Sequence, residues 1–329
     1  MHTSGRVLQG LSHQPSGAVV AAATTSLPEE IGEERSWDHR YAWVRDASCT
    51  MQALWVAACP DDATDFFGFV TRAGARSMDT RSLQIVFGIE GEQELPEHTL
   101  DHLRGWRDSR PVRVGNDAWE QRQIDVYGEL LDAATRLAAQ LTAIDEETRS
   151  FLVACADGAA VRWRDRDHAI WEVRGGPRHF VHSRVMCWAA LDRAIALAPL
   201  LHAEDHVPAW ETARARIADT VLDRGWSDAA GAFTQSSGST TLDAATLYFP
   251  IVGFLPADDP RVLATIDAVA ERLTDERGLV HRYRTERAST GWPAGRAPSC
   301  CAPLGSPRRW RCPVRWRGRG ACSSVPPPT

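Results

Sequence analysis

Apolar residues recur every three or four positions along most of residues 46–273, which is the spacing that gives an α-helix one apolar face. Asp205 and either Asp258 or Asp259 precede two of the apolar stretches and are candidate N-caps. The chain has no internal repeat with the self-similar period of an α-solenoid. The sequence therefore predicts an all-α fold and favours a helical toroid over a solenoid. The predicted helices span residues 47–58, 62–76, 116–143, 183–201, 208–226, 241–249 and 260–274.

Two connections between the predicted helices are far longer than ordinary helix–helix turns. Residues 80–114 and 157–182 are rich in Trp, Arg, His and Gly. Long loops in a compact domain commonly carry binding or catalytic residues over a rigid scaffold. This layout is typical of an enzyme.

Aromatic, charged and glycine residues concentrate in two segments, residues 36–46 (SWDHRYAWVRD) and 165–183 (DRDHAIWEVRGGPRHFVHS). A sugar site needs flat aromatic faces against the ring and fixed Asp and Arg side chains for the hydroxyl groups. Glycoside hydrolysis also needs a carboxylic acid that stays protonated near neutral pH, and a Glu beside a Trp in a partly desolvated pocket has its pKa raised in that sense. Glu172, next to Trp171, is the candidate acid. Ordinary core packing of the Trp and Arg side chains is the alternative interpretation.

Other kinds of site fit these segments less well. The histidines at positions 39, 168, 179 and 182 lack a helical i, i+4 pair and a Cys partner at ligand spacing, which argues against a metal site. Gly175 and Gly176 lack the remaining residues of a phosphate-binding fingerprint. No elbow motif surrounds Ser183, so a helix start with Ser183 near the cap is preferred to a nucleophile. No cofactor is predicted.

Five motifs occur in order along the chain. They are residues 17–28 (GAVVAAATTSLP), 37–46 (WDHRYAWVRD), 121–129 (QRQIDVYGE), 170–188 (IWEVRGGPRHFVHSRVMCW) and 252–260 (VGFLPADDP). Together they resemble the bacterial branch of glycoside hydrolase family 15, which contains glucoamylases and acid-trehalase-like proteins. The second is similar to the W-D-x-R-Y-x-W-x-R-D motif of that branch, and the fourth to its general-acid segment. The resemblance runs from about Gly17 to Arg284.

This resemblance implies an (α/α)6 toroid with an active site at one mouth and inverting hydrolysis of α-glucosidic bonds in trehalose or short α-glucans. Inversion uses one carboxyl as general acid and a second, roughly 6.5–9.5 Å away, as base for the attacking water. By position, the family's general acid matches Glu172. Arg45 and Asp46 match residues that bind hydroxyl groups of the released sugar, and Trp43 and Trp171 match pocket walls.

Two further positions follow from the resemblance. Arg282, in the segment VHRY (280–283), matches another substrate-binding arginine. His39 stands where the family usually has tyrosine, beside the scissile sugar. We expect this change to weaken transition-state stabilisation, because a phenol stays neutral whereas an ordinary histidine titrates at about pH 6.5. The family's N-terminal β-sandwich domain is expected to be absent, since the chain starts with the lead-in segment to the toroid, residues 1–35.

Composition changes abruptly after Glu286. Residues 1–286 contain 29 arginines and 43 acidic residues, whereas residues 287–329 contain eight arginines and no acidic residue; the chain has no lysine. The acidic body argues against a nucleic-acid binder, which needs clustered basic charge. A basic binding arm and a Cys-based metal module are two interpretations of the tail. Its Cys, Trp and Pro content fits the first poorly, and its Cys spacing fits the second poorly.

A third interpretation of the tail is translation of a GC-rich gene out of register, which yields Arg, Pro, Gly, Ala, Cys and Trp but few acidic residues. Back-translating residues 291–301 with GC-rich codons and moving the frame permits LAGREGTFLLC, which resembles the family's G-x-E-G-x-F-L-L-C stretch. This hypothesis predicts a partial toroid over residues 36–286 that keeps the general acid but lacks the general base and the last helices. An irregular, non-homologous tail over residues 287–329 would follow.

Three functions follow from these alternatives. The first is an α-glucosidic hydrolase by lineage, with negligible activity in this chain. The second is a degenerate, non-catalytic carbohydrate-binding protein, and the third is a helical interaction scaffold. In the first two cases the partner is a small carbohydrate; the oligomeric state is not predicted.

Cysteine usage and the lengths of the apolar runs indicate a compartment. Cys49, Cys59, Cys155 and Cys187 lack C-x-x-C spacing, which is typical of free, mostly buried thiols in a cytosolic protein. No stretch approaches the roughly 20 apolar residues of a membrane span. Residues 1–16 are too polar for a signal peptide. We therefore predict a cytoplasmic protein without a membrane partner.

Overall fold

The protein is described by a computed structural model over residues 2–29, 31–32, 34–78, 83–138, 145–173 and 175–284. The predicted irregular tail, residues 287–329, lies outside these ranges. Within them the chain is mostly helical. The α-helices are α1 (His2–Gly10), α2 (Ala47–Val56), α3 (Pro60–Met78), α4 (Val126–Leu137), α5 (Glu146–Arg162), α6 (Val181–Leu201), α7 (Val207–Arg224) and α8 (Pro260–Arg272).

The described ranges contain ten strands of two residues each, which pair as five antiparallel two-stranded sheets. A two-residue strand cannot build a sheet face, so the predicted all-α class is confirmed. The pairs are β1 (Ser12–His13) with β2 (Ala18–Val19), β3 (Leu27–Pro28) with β4 (Ser36–Trp37), β5 (Ala42–Trp43) with β6 (Val86–Phe87), β7 (His98–Thr99) with β8 (Arg113–Val114), and β9 (Trp226–Ser227) with β10 (Ala232–Phe233).

Helix α6 is the centre of the packing, with α4, α5 and α7 around it. Most of its residues are buried, including the polar His182, Ser183 and Arg184, because neighbours cover almost every face. Gly128 lets α4 approach α6 closely, since a Cβ there would lie 2.3 Å from the carbonyl oxygen of Met186. The close approach of α4 and α6 packs the third motif, residues 121–129, against the fourth, residues 170–188.

Five predicted helices, α2, α3, α6, α7 and α8, are confirmed within a few residues at each end. The single helix predicted over residues 116–143 is wrong. Residues 117–120 form a 3-10 turn, and α4 begins only at Val126; residues 139–143 lie outside the described ranges. Tertiary bonds divert the chain between them: His168 N donates to Arg122 O at 2.9 Å, and Ile124 N donates to the Asp167 carboxylate at 3.4 Å.

Two other helix predictions also need correction. Residues 244–248 form a 3-10 turn rather than a helix over 241–249, with the Asp243 carboxylate accepting from Ala245 N. Helix α5 is absent from the sequence prediction. The long connection predicted over residues 157–182 also includes the last residues of this helix, up to Arg162. Its buried face is largely small, with Cys155, Ala156 and Ala159 beside Phe151, so the apolar period is weak. The true connection begins at Trp163.

The helix caps are partly as predicted. Asp259 caps α8, because its carboxylate accepts from Arg261 N at 2.8 Å. Asp205 is not a cap; it lies in a 3-10 turn over 204–206, and α7 follows His206. The predicted helix start at Ser183 is confirmed, since α6 begins at Val181 and Ser183 lies in its first turn; the Ser183 hydroxyl donates to Asp167 Oδ2 at 2.7 Å.

The body cysteines carry no disulfide among the described residues. Cys155 and Cys187 are buried, Cys59 is half-buried and Cys49 is exposed, so the prediction of free thiols is confirmed and burial holds for two of the four. None of the described helices is long and apolar enough to cross a membrane.

Candidate active site

A cavity of about 490 Å³ opens where the segment over residues 36–46 meets α4, the loop over 170–173 and residues 282–283. All seven side chains that the sequence singled out line it. They are His39, Trp43, Arg45, Asp46, Trp171, Glu172 and Arg282. The fold therefore brings residues from both loops and from near the end of the described chain to one place, while the chemical role of each stays a prediction.

The segment over residues 36–46 is held in place by a buried carboxylate. Asp38 is fully buried and accepts from the Arg40 guanidinium at 2.7 Å and from Gly115 N at 3.2 Å. Although burial raises the pKa of Asp38, the bonds from Arg40 outweigh it and hold that pKa below its usual range. Strand β5 then continues the segment and pairs Trp43 with Val86. Trp43 is thereby fixed against the cavity.

The candidate acid, Glu172, receives two hydrogen bonds on the same oxygen. Trp43 Nε1 donates to Glu172 Oε1 at 2.7 Å, and Arg45 Nη1 donates to it at 3.0 Å. No other described residue bonds to Oε2, and the side chain keeps 24% of its surface exposed. Oε2 is therefore the oxygen that receives no hydrogen bond from the described residues.

The backbone at Glu172 is unusual. Glu172 and Ala169 have φ angles of 52° and 58°, in the left-handed region that non-glycine residues seldom adopt. The turn between them is closed by Glu172 N donating to Ala169 O at 3.2 Å. Arg45 Nη1 also donates to Ile170 O at 2.8 Å. The same arginine thus holds both the strained loop and the carboxylate that the loop presents.

Arg45 is surrounded by carboxylates. It lies 3.0 Å from Glu172 and 3.5 Å from Asp46, and its side chain is 17% exposed. Burial acts to lower the pKa of Arg45, but Asp46, Glu172 and Asp125 together raise it above the ordinary value. The guanidinium is therefore a permanent positive charge at this end of the cavity.

Trp171 is positioned by a residue that the sequence did not single out. Its indole Nε1 donates to Asp243 Oδ1 at 2.8 Å, not to the neighbouring Glu172. The buried Asp243 also accepts from Gln235 Nε2 at 3.0 Å. On the other side, the Arg282 guanidinium lies 5.1 Å from the Trp171 ring centre, within reach of a cation–π contact. Asp243 and Arg282 together fix the orientation of this aromatic wall.

His39 lies beside the other aromatic wall. Its ring centre is 5.5 Å from that of Trp43, with the planes inclined at 57°. The Tyr41 ring also approaches Trp43, at 6.4 Å. The position where this chain departs from the resembling family is therefore next to the side chain that bonds to Glu172.

Comparison with known proteins decides the family. The model of glycosyl hydrolases family 15 matches residues 5–299. The chain belongs to glycosyl hydrolase family 15. The match extends on both sides of residues 17–284, over which the resemblance runs.

Several trehalases are similar to this chain in sequence. The trehalase of Mycolicibacterium smegmatis is 41% identical over 292 residues, which cover 88% of this chain and 43% of that protein. The trehalase of Thermoplasma volcanium is 35% identical, with 88% and 46% covered. The chain spans slightly less than half the length of the curated relatives it matches.

Solved structures show the family 15 fold. A wild-type glycosidase superposes with a TM-score of 0.65 at 22% identity, covering 86% of this chain and 71% of that one. A bacterial glucoamylase complexed with acarbose also gives 0.65, at 14% identity, covering 89% and 44%. These likenesses confirm the predicted glucoamylase-type (α/α)6 fold.

Beside the cavity, this family 15 chain buries several ionisable groups. Burial raises the pKa of Asp125 to about 6 and that of Asp167 to about 8, with neighbouring carboxylates adding to both. Burial, together with the Arg45 charge, lowers the pKa of His182 to about 3. At neutral pH His182 is therefore an uncharged imidazole, and the Asp167 carboxyl holds a proton.

Replacing Asp167 with Asn is expected to flatten the dependence of stability on pH. Folded Asp167 holds a proton that the unfolded chain releases above about pH 4, so rising pH favours unfolding until about pH 8. This one group removes up to about 1.4 kcal/mol of unfolding free energy per pH unit in that window. Urea denaturation of both proteins between pH 5.5 and 8 measures it. Parallel curves for wild type and Asp167→Asn would contradict the assignment.

Proposed function

We propose that the chain is a glycoside hydrolase by lineage whose cavity binds the glucosyl unit of trehalose or a short α-glucan. The observation that carries this proposal is the Glu172 carboxyl, which lines the cavity and is held by Trp43 and Arg45 through one of its two oxygens. Family membership, the trehalase relatives and the acarbose complex of the glucoamylase support the same substrate class. The cavity volume also falls within the range of small-molecule sites.

The proposed acid step uses the carboxyl of Glu172. Glu172 Oε2 gives its proton to the glycosidic oxygen, the bond from that oxygen to the anomeric carbon breaks, and the leaving sugar departs as an alcohol. The resulting carboxylate keeps its charge-assisted bond from Arg45 and its bond from Trp43, which stabilise it. A water attacks the anomeric carbon from the opposite face and loses its proton to a general base.

The general base is the part of the mechanism that we propose is missing. Residues 287–329 contain no Asp or Glu, and their composition supports the out-of-frame interpretation of the tail. On this proposal residues 36–286 form the glycosidase domain after the 1–35 lead-in, and the chain binds sugar without turning it over. A non-catalytic carbohydrate-binding protein is the second candidate, favoured by the intact aromatic walls. The four free cysteines support a reducing compartment, and we place the chain in the cytoplasm.

Sugar titration followed by tryptophan fluorescence tests this proposal, because Trp37, Trp43 and Trp171 line the cavity. Trehalose, maltose and glucose are expected to change the emission of the wild type, while glucose release from the disaccharides stays at background. Trp171→Leu is expected to reduce affinity at least about 5-fold, since an aromatic face against a ligand is worth about 1–3 kcal/mol.

Two controls make the result specific. Trp106→Leu also removes one tryptophan, but Trp106 is exposed and lies away from the cavity lining, so affinity should not change. Glu172→Gln shows whether any glucose release belongs to this protein. No sugar binding by the wild type would overturn the proposed function, and turnover abolished by Glu172→Gln would overturn the loss of the base.

A further inference from the structure

A second carboxyl lines the same cavity and takes no part in the acid step. Glu129 lies on α4, four residues after Asp125, and only 4% of its surface is exposed, yet it contributes to the cavity lining. Its carboxyl makes no hydrogen bond or ion pair with any residue in the described ranges. A buried polar group is normally paired, so an unpaired carboxyl at a cavity wall calls for a ligand.

The surroundings of Glu129 are polar. Asp46, Cys49 and Tyr248 line the cavity with it, and the Tyr248 hydroxyl lies 3.8 Å from Cys49 Sγ. We call these four residues the Glu129 face. Behind it, both ring nitrogens of His182 are buried without a partner, 6.1 Å from Tyr248 between ring centres.

Asp125, at the start of the same helix, repeats the pattern. Both of its carboxylate oxygens are buried and lack a hydrogen-bond partner among the described residues. Orphaned polar atoms thus come from two packed helices, α4 and α6, at the side of the cavity where Glu129 reaches it. A purely structural cluster would be expected to pair these groups with one another, as Asp132 pairs with Arg136 at 2.7 Å one turn further on.

The protonation state of Glu129 suits a sugar. Burial raises the pKa of Glu129 well above its usual range, and Asp125, Asp132 and Asp46 add to the rise, with Arg45 opposing it. A protonated carboxyl has one O–H donor and a carbonyl acceptor, and a sugar hydroxyl also donates and accepts. A neutral carboxyl can therefore make a reciprocal pair with one hydroxyl or bridge two adjacent ones.

We propose that Glu129 is a substrate-recognition residue that hydrogen-bonds a hydroxyl group of the bound glucosyl ring, with the Glu129 face forming a polar subsite of the cavity. The ligand class is a polyhydroxylated ring, and the inference rests on the proposed function because it requires the cavity to hold a sugar. Glu129 acts here as a specificity-determining group and not as an acid or base. Selection among sugars then depends on which hydroxyl groups point toward α4.

Matched substitutions separate recognition from structure. Glu129→Gln keeps one donor and one acceptor, so its affinity for glucose is expected to stay within about 3-fold of the wild type. Glu129→Leu removes both and is expected to lower affinity about 10-fold, the equivalent of about 1.4 kcal/mol. Exposed Glu211→Leu on α7 is the control for removing a carboxyl, and it should bind as the wild type does. Calorimetric titration with glucose, together with thermal unfolding, measures all four proteins.

The stability readout has a definite sign. Removing an unpaired buried carboxyl should leave the melting temperature of Glu129→Leu unchanged or higher. If leucine prevents folding, Glu129→Ala replaces it in the same comparison. Titration with the single deoxyglucoses adds a second test, since one of them should bind the wild type more weakly and lose little further affinity in the leucine or alanine variant.

The outcomes are distinguishable. A wild type that binds no glucose removes the proposed function itself. A wild type that binds glucose while Glu129→Leu and Glu129→Ala bind equally well overturns the role of Glu129 alone. A fall in melting temperature for both Glu129→Gln and Glu129→Leu with unchanged affinity also overturns it, because a structural role would then account for the residue.

Discussion

Restoring the family reading frame after about codon 290 is expected to raise trehalose or maltose hydrolysis at least about 100-fold above that of the present chain. The reason is chemical: the described cavity contains the proposed proton donor, Glu172, but inversion also requires a base that takes a proton from the attacking water. General acid and base groups each contribute roughly 10²–10⁴-fold. A protein with the acid alone can bind and orient the sugar without activating the nucleophile.

The comparison uses two chains that share residues 1–286 and differ only in the frame that follows. Glucose release from trehalose and maltose is followed for both, and Glu172→Gln in the restored chain is the control. That control should return the rate to background, because it removes the proton donor and keeps the side chain's shape. Equal rates for the present and restored chains would sink the idea, as would a gene with no alternative frame that continues the family motifs.

The same comparison addresses stability. Further helices of a toroid would cover apolar surface that the described part leaves exposed, such as Trp55 at 42% and Val56 at 61% on α2. The restored chain is therefore expected to aggregate less, although this effect is smaller than the change in rate.

Motifs made the cavity residues visible in the sequence. Trp43, Arg45 and Asp46 lie within four consecutive positions, and Trp171 and Glu172 are adjacent, so each group has a local signature. The fold then brings both groups together with Arg282 in one cavity. Their roles as acid and as sugar-binding groups still rest on the family and are tested only by the experiments above.

Residues that act through distant partners left no local signal. Asp243 orients Trp171 across 72 positions, and it lies in a stretch whose apolar spacing predicts an ordinary helix. Glu129 was visible only as the last letter of a motif, because its burial and lack of a partner are properties of the packed α4 and α6. The break before α4 arises in the same way, from bonds between residues 122–124 and the 167–168 loop. Periodicity reports which face of a segment is apolar, and it does not report such long-range pairing.

Helix α5 shows the opposite limit. It is capped by Asp145, whose carboxylate accepts from Thr148 N at 2.7 Å, and this signal was present in the sequence. Its small buried residues nonetheless gave too weak an apolar stripe to be recognised. A toroid can use such a helix because close packing between neighbours, as at α5 and α6, favours small side chains at the contact.

Arg45→Met is expected to cost about 3 kcal/mol of unfolding free energy, because it removes one partner of a mostly buried ion pair. Arg45 is mostly buried and gives hydrogen bonds to Glu172 and to Ile170 O. Its charge also opposes that of the fully buried Asp125. Methionine fills much of the volume but leaves these acceptors without a donor, and the left-handed turn at Glu172 loses its tie.

A surface pair provides the control for this loss. Arg104 contacts Asp108 at 2.7 Å with both side chains mostly exposed, so Arg104→Met should cost at most about 1 kcal/mol. Urea denaturation of the two variants and the wild type gives the comparison directly. A loss for Arg45→Met no larger than that for Arg104→Met would show that the carboxylates around Arg45 do not depend on its charge.

The loss for Arg45→Met should also grow with pH. Arg45 lowers the pKa of Asp125, which burial otherwise raises, so removing the guanidinium moves that pKa upward from about 6. When burial raises the pKa of a carboxyl in the folded protein, the free energy of unfolding falls as the pH rises from the unfolded pKa to the folded pKa. In that window the unfolded chain releases the proton and the folded protein retains it. A higher folded pKa extends the window to higher pH. The variant should therefore lose more stability at pH 8 than at pH 5. In an Asp125→Asn background this difference should become smaller, and what remains is expected from Glu129, whose raised pKa Arg45 also opposes. A pH-independent loss in both backgrounds would assign the stability to the loop contact at Ile170 instead.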